Sequence, residues 1–306
     1  MGFRSPANKS AQIGSIVHKA LEILAHRKLS EQNGVVSFFD AELDNSFTVN
    51  AVTPEAATEA SYHYYVGLKE YDYKDTDYRD CLKLVNNVLL WRGGMFSPLK
   101  QKILSAEQYF DFTIEKPWAK YKYGEVEGYL SVKGTLDLIV ERPQGVLEIV
   151  DWKTGKPMFD WNTGKDKTYA DLYKDPQLRL YHYAASRLYP DAKQIFLTIF
   201  YIKDAPYSIC FEEKDIAETE KMIEKKYNEI RHTQRPKLIY PDWRCSKLCY
   251  FGKNSFEGPT TDYKQSICNV VKNEVLTLGI DRVTENRRKA DAGSYGSGGG
   301  RTTKED

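Results

Sequence analysis

The sequence predicts an α/β protein in which a mixed central sheet is flanked by helices and extended by a helical insertion. The first observation is a change of hydrophobic period along the chain. Apolar residues recur at helical spacing near the N-terminus and at strand spacing from about residue 107. The second observation is a helix from Pro176 to about Leu188 that separates two of the strand segments, as is typical of α/β folds.

Helices are predicted at several further places. Residues 12–29 carry an apolar stripe with the period of an amphipathic helix. Residues 54–91 are mainly helical in pattern, with a break at a polar, tyrosine-rich stretch, and residues 214–232 form a charged amphipathic helix. The helix at Pro176 has a clear start signal, because Asp175 can cap it and proline fits the first helical position.

The strand segments include one pair whose register can be calculated. Strand-like runs occupy residues 107–115, 128–132, 135–141, 146–153 and 195–202. The third and fourth runs surround a turn at residues 142–145, which is typical of a β-hairpin. If that hairpin is symmetric about Gln144, Ile139 pairs with Ile149.

The same register brings two carboxylates face to face. Asp137 would lie opposite Asp151, and alternation would put Lys153 on the face of Asp151. Two explanations are open: the carboxylates are solvated at a sheet end and paired with the lysine, or a divalent cation lies between them. The apolar residues on both strands make the strands look covered, which favours the cation, since buried unpaired carboxylates are costly.

Bulk composition limits the function classes. The chain of 306 residues has 44 basic and 43 acidic side chains, so the net charge of +1 gives no global signature of a nucleic-acid binder. The sequence has no apolar run of membrane-spanning length and no secretory signal pattern, so we expect a cytoplasmic protein. The last residues, 286–306, are rich in glycine and serine and are expected to be a disordered tail.

Three segments in order resemble the PD-(D/E)XK nuclease superfamily, specifically its RecB-type branch, which includes phage and CRISPR-adaptation nucleases. They are Ala11-Gln-Ile-Gly14-Ser-Ile-Val-His18-Lys-Ala-Leu-Glu22, then Gly134-Thr-Leu-Asp137 with Glu148-Ile-Val-Asp151-Trp-Lys153-Thr-Gly, and finally Gln177-Leu-Arg-Leu-Tyr181. The first resembles the branch's histidine-bearing helix, the second its metal-binding hairpin and the third its QxxxY motif.

The resemblance implies a restriction-endonuclease-like core over residues 1–285, with the helical insertion at about 40–100 and a cysteine-containing segment at about 243–268. It implies Mg²⁺ or Mn²⁺ held by His18, Asp137, Asp151 and the Trp152 carbonyl, with Lys153 acting on the attacking water or the phosphate. Gln177 and Tyr181 would contact substrate. Glu107 is a candidate for the acidic residue that the family often places in its first core strand.

The function that the resemblance implies is a metal-dependent DNA exonuclease of phage or bacterial replication, recombination or repair. It would act in the bacterial or phage-infected host cytoplasm on DNA with a free end, and a helicase, a recombinase or a single-strand-binding protein could be its partner. A structure-selective endonuclease is the alternative among enzymes. A catalytically quiet DNA-binding subunit of a recombination complex is the alternative from another class.

The cysteines leave a separate question open. Cys245, Cys249 and Cys268 resemble the C-terminal cysteines with which some RecB-type nucleases bind an iron–sulfur cluster. A cluster or zinc site would need a fourth ligand from Cys81 or Cys210. The alternative is that all five are free thiols, since an odd number in a chain without an export signal argues against a disulfide framework.

Overall fold

The protein is described by a computed structural model that covers residues 8–155, 159–160, 165–192, 194–232 and 249–286. These residues divide into two compact units, 8–232 and 249–286. The predicted tail lies outside the described residues from residue 287 onward. The predicted single domain over residues 1–285 therefore stays a prediction.

The larger unit begins with a long helix and contains five more. They are α1 (Lys9–Gln32), α2 (Pro54–Gly67), α3 (Asp75–Leu90), α4 (Tyr169–Tyr173), α5 (Pro176–Leu188) and α6 (Lys214–Arg231). The start of α5 is confirmed, because the Asp175 side chain accepts a hydrogen bond from the Gln177 backbone N–H. The break between α2 and α3 comes earlier than predicted, since Asp77 holds the first turn of α3 by accepting a hydrogen bond from the Lys74 backbone N–H.

The strands of the larger unit are β1 (Ser37–Asp40), β2 (Asn45–Thr48), β3 (Lys102–Thr113), β4 (Lys120–Tyr123), β5 (Val126–Tyr129), β6 (Ser131–Arg142), β7 (Val146–Lys153), β8 (Phe159–Asp160), β9 (Lys165–Asp166), β10 (Gln194–Tyr201) and β11 (Pro206–Phe211). Five of them form one sheet in the order β11-β10-β7-β6-β3. β7 and β10 are parallel, whereas the other neighbours are antiparallel. The predicted mixed sheet flanked by helices is thereby confirmed.

The hairpin between β6 and β7 has the register that symmetry about Gln144 predicts. Ile139 pairs with Ile149, and the last turn-proximal pair joins Arg142 to Val146. Gln144 takes a φ of 69°, which lets the chain reverse within the short turn. The short turn fixes this register, whereas a slip of one residue would move every side chain of the strand to the opposite face.

Several strands were not predicted, among them β1, β2 and β11. β1 and β2 form a small hairpin in a stretch that has no regular hydrophobic pattern, and β11 closes the edge of the central sheet. Pro206 at the start of β11 lacks an N–H, which an edge strand tolerates. The edge position explains why the sequence of β11 is too short and mixed to stand out as a strand.

The central sheet is packed on both faces. Its first face lies against α1 and α3, with a core that includes Ile16, Leu24, Leu138, Val150 and Trp152. Its second face lies against α5, with a core that includes Ile139, Ile149, Leu178, Leu197 and Phe211. Side chains that end the central strands therefore lie between a helix on one face and a helix on the other.

The smaller unit contains α7 (Tyr250–Lys253), β12 (Asn254–Ser255), β13 (Gly258–Pro259) and α8 (Ile267–Leu278). Its core is formed by Ile267, Val271 and Val283. Within the described parts of the chain, no helix is both long enough and apolar enough to cross a membrane.

Candidate active site

The hairpin opens at the point where its two aspartates stand. Backbone pairing of β6 with β7 ends at Leu138 and Val150, one position before Asp137 and Asp151 would face each other. There the carboxylate of Asp137 accepts a hydrogen bond from the backbone N–H of Trp152, at 2.9 Å. A side-chain oxygen thus accepts a hydrogen bond at a position where a strand carbonyl would otherwise accept it.

Asp151 is a buried carboxylate with one cationic neighbour. The Lys153 ammonium lies 2.7 Å from its Oδ2 and donates a hydrogen bond to its Oδ1 at 2.9 Å. Burial, together with the charge of Asp137, raises the pKa of Asp151 to about 6. Among the described residues, its Oδ2 accepts no well-aligned hydrogen bond, so a lone pair is left available beside Asp137.

Helix α1 brings a histidine to the same place. Nδ1 of His18 is 3.4 Å from Oδ2 of Asp137, and its ring meets the Trp152 ring edge-on with centroids 6.1 Å apart. The helix comes this close because Gly14 faces the chain just after β7, where an added Cβ would lie 3.0 Å from Oγ1 of Thr154. A glycine one turn before His18 therefore sets the approach of the helix.

Glu107 reaches the site from β3 through an unusual backbone. Its φ is 46°. Its neighbours Ala106 and Gln108 pair with Leu138 and Leu136 of β6, so Glu107 lies opposite Asp137. A left-handed conformation is costly for a non-glycine residue and is often kept where a side chain has a task. Burial, with the charge of Asp137 as the next cause, raises the pKa of Glu107 to about 8.

These side chains form a donor set suited to a hard divalent cation. One ligand atom from each of His18, Glu107 and Asp137 lies within 4.8 Å of the others. Glu107 is thus one of the three convergent donors. The carboxylate of Asp151 is turned toward Lys153, so its place as a direct ligand, with the Trp152 carbonyl, stays a prediction.

Helix α5 approaches Asp151 from the other side of the sheet. The amide nitrogen of Gln177 donates one hydrogen bond to Oδ1 of Asp151 at 3.3 Å and another to the Tyr181 hydroxyl at 2.7 Å. Burial, with the charge of Asp151 as the next cause, raises the pKa of Tyr181 and keeps its hydroxyl protonated. The predicted glutamine and tyrosine are therefore neighbours of the candidate metal site.

A family model for the PD-(D/E)XK nuclease superfamily matches residues 2–252, which include every residue of this site. The chain belongs to that superfamily. Its aspartate, aspartate and lysine occupy the hairpin of a nuclease, and the fold places a histidine helix and a glutamine helix beside them.

Comparison with solved structures finds several matches, among them two proteins of low sequence identity. The crystal structure of a protein named SSO0001 is 19% identical, with a TM-score of 0.31, over 78% of this chain and 97% of that one. An Eubacterium rectale protein, described there as a "putative exonuclease", is 13% identical with a TM-score of 0.34, over 91% of this chain and 82% of that one. A search of curated proteins finds no match.

The sequence interpretation missed a buried lysine in this nuclease site. Lys19, next to His18, is only 5% exposed, and its ammonium lies 2.6 Å from Glu22 and 2.7 Å from Glu42. Burial lowers its pKa, but the hydrogen bonds that its ammonium donates to both glutamates outweigh that effect and raise it. A cavity of about 400 Å³ is lined by this cluster and by Glu107. The cluster has no signal in the sequence because its residues come from distant segments of the chain.

A second cavity adjoins the first, and basic side chains line part of it. Its volume is about 650 Å³, and Ser10 and Thr154 line both cavities. Lys83 of α3 and Lys203, which follows β10, are exposed on its wall, and neither takes part in an ion pair within the described residues. Two lysines without an ion pair among the described residues are suited to phosphate contacts.

The described cysteines are divided between the two compact units. Cys81 is buried in the core beside α1, where burial raises its pKa to about 12, which disfavours the thiolate that a metal requires. Cys249 and Cys268 belong to the smaller unit, and Cys245 lies outside the described residues. The predicted cluster or zinc site stays a prediction.

Proposed function

We propose that this protein is a Mg²⁺- or Mn²⁺-dependent DNA exonuclease whose active site is formed by His18, Glu107, Asp137, Asp151 and Lys153. The observation that carries the proposal is the convergence of His18, Glu107 and Asp137 within 4.8 Å, beside the Asp151–Lys153 pair. Carboxylate oxygens and an imidazole suit these cations, and a cation would offset repulsion among carboxylates that burial has made costly.

The protein side chains have separate tasks in this proposal. A bound divalent cation would supply Lewis acidity and lower the pKa of an attacking water. The Lys153 ammonium, held by Asp151, lies where it can stabilise the charge that develops on a phosphate. Gln177 holds the Asp151 carboxylate in place through its amide, and Trp152 holds Asp137 through its backbone N–H.

Nucleic acid is the substrate that best explains the surroundings. The two free lysines, Lys83 and Lys203, line a groove that continues from the metal pocket, so a phosphodiester backbone could pass along it. The net charge of the chain is only +1, so attraction must be local. We therefore propose that a helicase, a recombinase or a single-strand-binding protein delivers the DNA end during replication, recombination or repair.

The choice of an exonuclease follows the resemblance of the His18 helix and the Gln177–Tyr181 motif to the RecB-type branch. The test is a cleavage assay in which end-labelled linear DNA and covalently closed circular DNA are incubated separately with purified protein and Mg²⁺ or Mn²⁺. We expect degradation of the linear DNA alone, and its loss on chelation of the metal.

The matched variant is Asp151→Ala, which should lower the cleavage rate by at least about a thousandfold while circular dichroism stays unchanged. Cleavage of the circular DNA would replace the exonuclease by an endonuclease. Undiminished metal-dependent cleavage by Asp151→Ala would refute the site itself. Binding without any cleavage would identify a catalytically quiet subunit.

A further inference from the structure

The catalytic strand β7 has aromatic neighbours that the proposed chemistry does not use. In the parallel pairing of β7 with β10, Asp151 pairs with Ile199 and Lys153 pairs with Tyr201. In the antiparallel pairing of β10 with β11, Ile199 pairs with Tyr207. Paired residues of adjacent strands point to the same face of a sheet, so both tyrosines share the face of Asp151 and Lys153.

A third ring extends this row to the surface. The Tyr201 and Tyr207 ring centroids are 6.0 Å apart at an interplanar angle of 74°, and those of Tyr207 and Tyr169 are 6.2 Å apart at 58°. No two of the three rings are stacked face to face. Tyr169, at the start of α4, is 54% exposed. We call Tyr201, Tyr207 and Tyr169 the tyrosine row.

Part of this row is held in place rather than mobile on the surface. The Tyr207 hydroxyl donates a hydrogen bond to Asp204 at 2.9 Å, and both Tyr201 and Tyr207 pack against the core under α5. Rings fixed in this way lose little conformational freedom when another flat group stacks on them. The row is therefore a preformed aromatic surface that begins beside Lys153.

We propose that the tyrosine row stacks the bases of a single-stranded segment next to the scissile phosphate, an inference that rests on the proposed nuclease function. A base within a duplex is already stacked on its neighbours, so only an unpaired base can offer a free face to a tyrosine ring. The exposed Lys203 follows Tyr201 by two residues and supplies a positive charge for the backbone of that segment. The row gives the site a preference for single-stranded over double-stranded nucleic acid.

The experiment measures binding rather than cleavage. Fluorescence anisotropy with a labelled 20-nucleotide oligothymidylate and with a labelled 20-base-pair duplex is recorded in EDTA, so that hydrolysis does not interfere. We expect Tyr207→Leu and Tyr169→Leu each to weaken binding of the single strand at least about fivefold and that of the duplex hardly at all. Tyr207→Phe keeps the ring and should bind the single strand about as well as the unchanged protein.

The matched control is Tyr129→Leu, which removes a tyrosine that is 38% exposed on β5, outside the central sheet. It should leave both affinities unchanged. Equal affinity of the unchanged protein for both DNAs, or equal loss in the Leu and Phe variants, would overturn the stacking proposal, as would an equally large loss in the control. Circular dichroism of each variant identifies any loss of binding that is caused by unfolding. If Tyr207→Leu unfolds, the result for Tyr169→Leu decides, because Tyr169 is exposed.

The two proposals can fail separately. If the protein binds single strands through the tyrosine row but never cleaves DNA, the nuclease proposal fails and the stacking proposal holds. If it cleaves with the expected metal dependence while the Leu variants bind and cut like the unchanged protein, the stacking proposal fails and the nuclease proposal holds.

Discussion

Strand β7 carries two buried carboxylates, Glu148 and Asp151, whose surroundings differ. Glu148 is 6% exposed and Asp151 only 2%. The Arg142 guanidinium lies 2.5 Å from Glu148, and the Thr198 hydroxyl donates a further hydrogen bond to it. Asp151 is bound by the Lys153 ammonium and, at 3.3 Å, by the Gln177 amide. The Asp137 carboxylate lies nearby, and the pKa of Asp151 is raised to about 6.

The comparison separates a carboxylate whose partners lie within the fold from one that the proposed function uses. Burial is common to both, so burial alone does not mark an active site. The partners make the difference, because Glu148 is held by the Arg142 guanidinium and the Thr198 hydroxyl. Oδ2 of Asp151 has the Lys153 ion pair but accepts no well-aligned hydrogen bond among the described residues. A carboxylate that the protein leaves incompletely satisfied is the one that can act on something else.

The largest expected effect is on turnover. Asp137→Asn keeps an oxygen that can accept the Trp152 hydrogen bond but loses the charge, and we expect the metal-dependent cleavage rate to fall by on the order of a thousandfold. Glu148→Gln should change the rate by less than about threefold at a temperature where both variants are folded. Equal losses in the two variants would mean that Asp137 and Glu148 do not differ in function.

The second effect is on stability, and here we expect the surroundings of Glu148 to matter most. Arg142→Leu leaves Glu148 buried without its cation and should lower the free energy of unfolding by about 3 kcal/mol in urea denaturation. Lys102→Leu breaks the Lys102–Glu141 pair at the surface of the same sheet and should cost less than about 1 kcal/mol. A loss for Arg142→Leu as small as that of the control would mean that the Arg142–Glu148 pair does not stabilise the fold.

The smallest effect is a pH dependence specific to Asp151. Its pKa is raised in the folded state, so its contribution to stability is full below its unfolded pKa and is lost as pH rises through about 6. Without metal, the unchanged protein should lose about 2 kcal/mol relative to Asp151→Asn between pH 4 and pH 7. The measurement is urea denaturation in EDTA at each pH, where a constant difference would contradict the raised pKa.

The hairpin could be predicted from the sequence because its information is local. Alternation and a short turn determine the register of β6 with β7, and Asp175 and Pro176 determine where α5 begins. The position of Asp137, Asp151 and Lys153 on one face of the sheet follows from that register. Their placement beside the two flanking helices follows from the resemblance and from the fold that it implies.

The rest of the site depends on contacts between distant segments. Glu107 meets Asp137 only through the pairing of β3 with β6, and its positive φ is invisible in a pattern of side chains. In the sequence, Lys19 is simply one charged residue on a helix. Its role depends on an ion pair with Glu42, which lies in the turn between β1 and β2. Long-range pairing of this kind leaves no periodic signal.

Gly14 shows how little material separates the two halves of the site. The first helix and the end of β7 touch through a position that has no side chain, and a single methyl group there would meet Thr154 at 3.0 Å. Either the Thr154 side chain or the helix would then have to shift, at a point one turn from His18. The distance between His18 and Asp137 thus depends on the absence of a side chain at Gly14. A Gly14→Ala change that shifts the helix would alter that distance while leaving both side chains chemically unchanged.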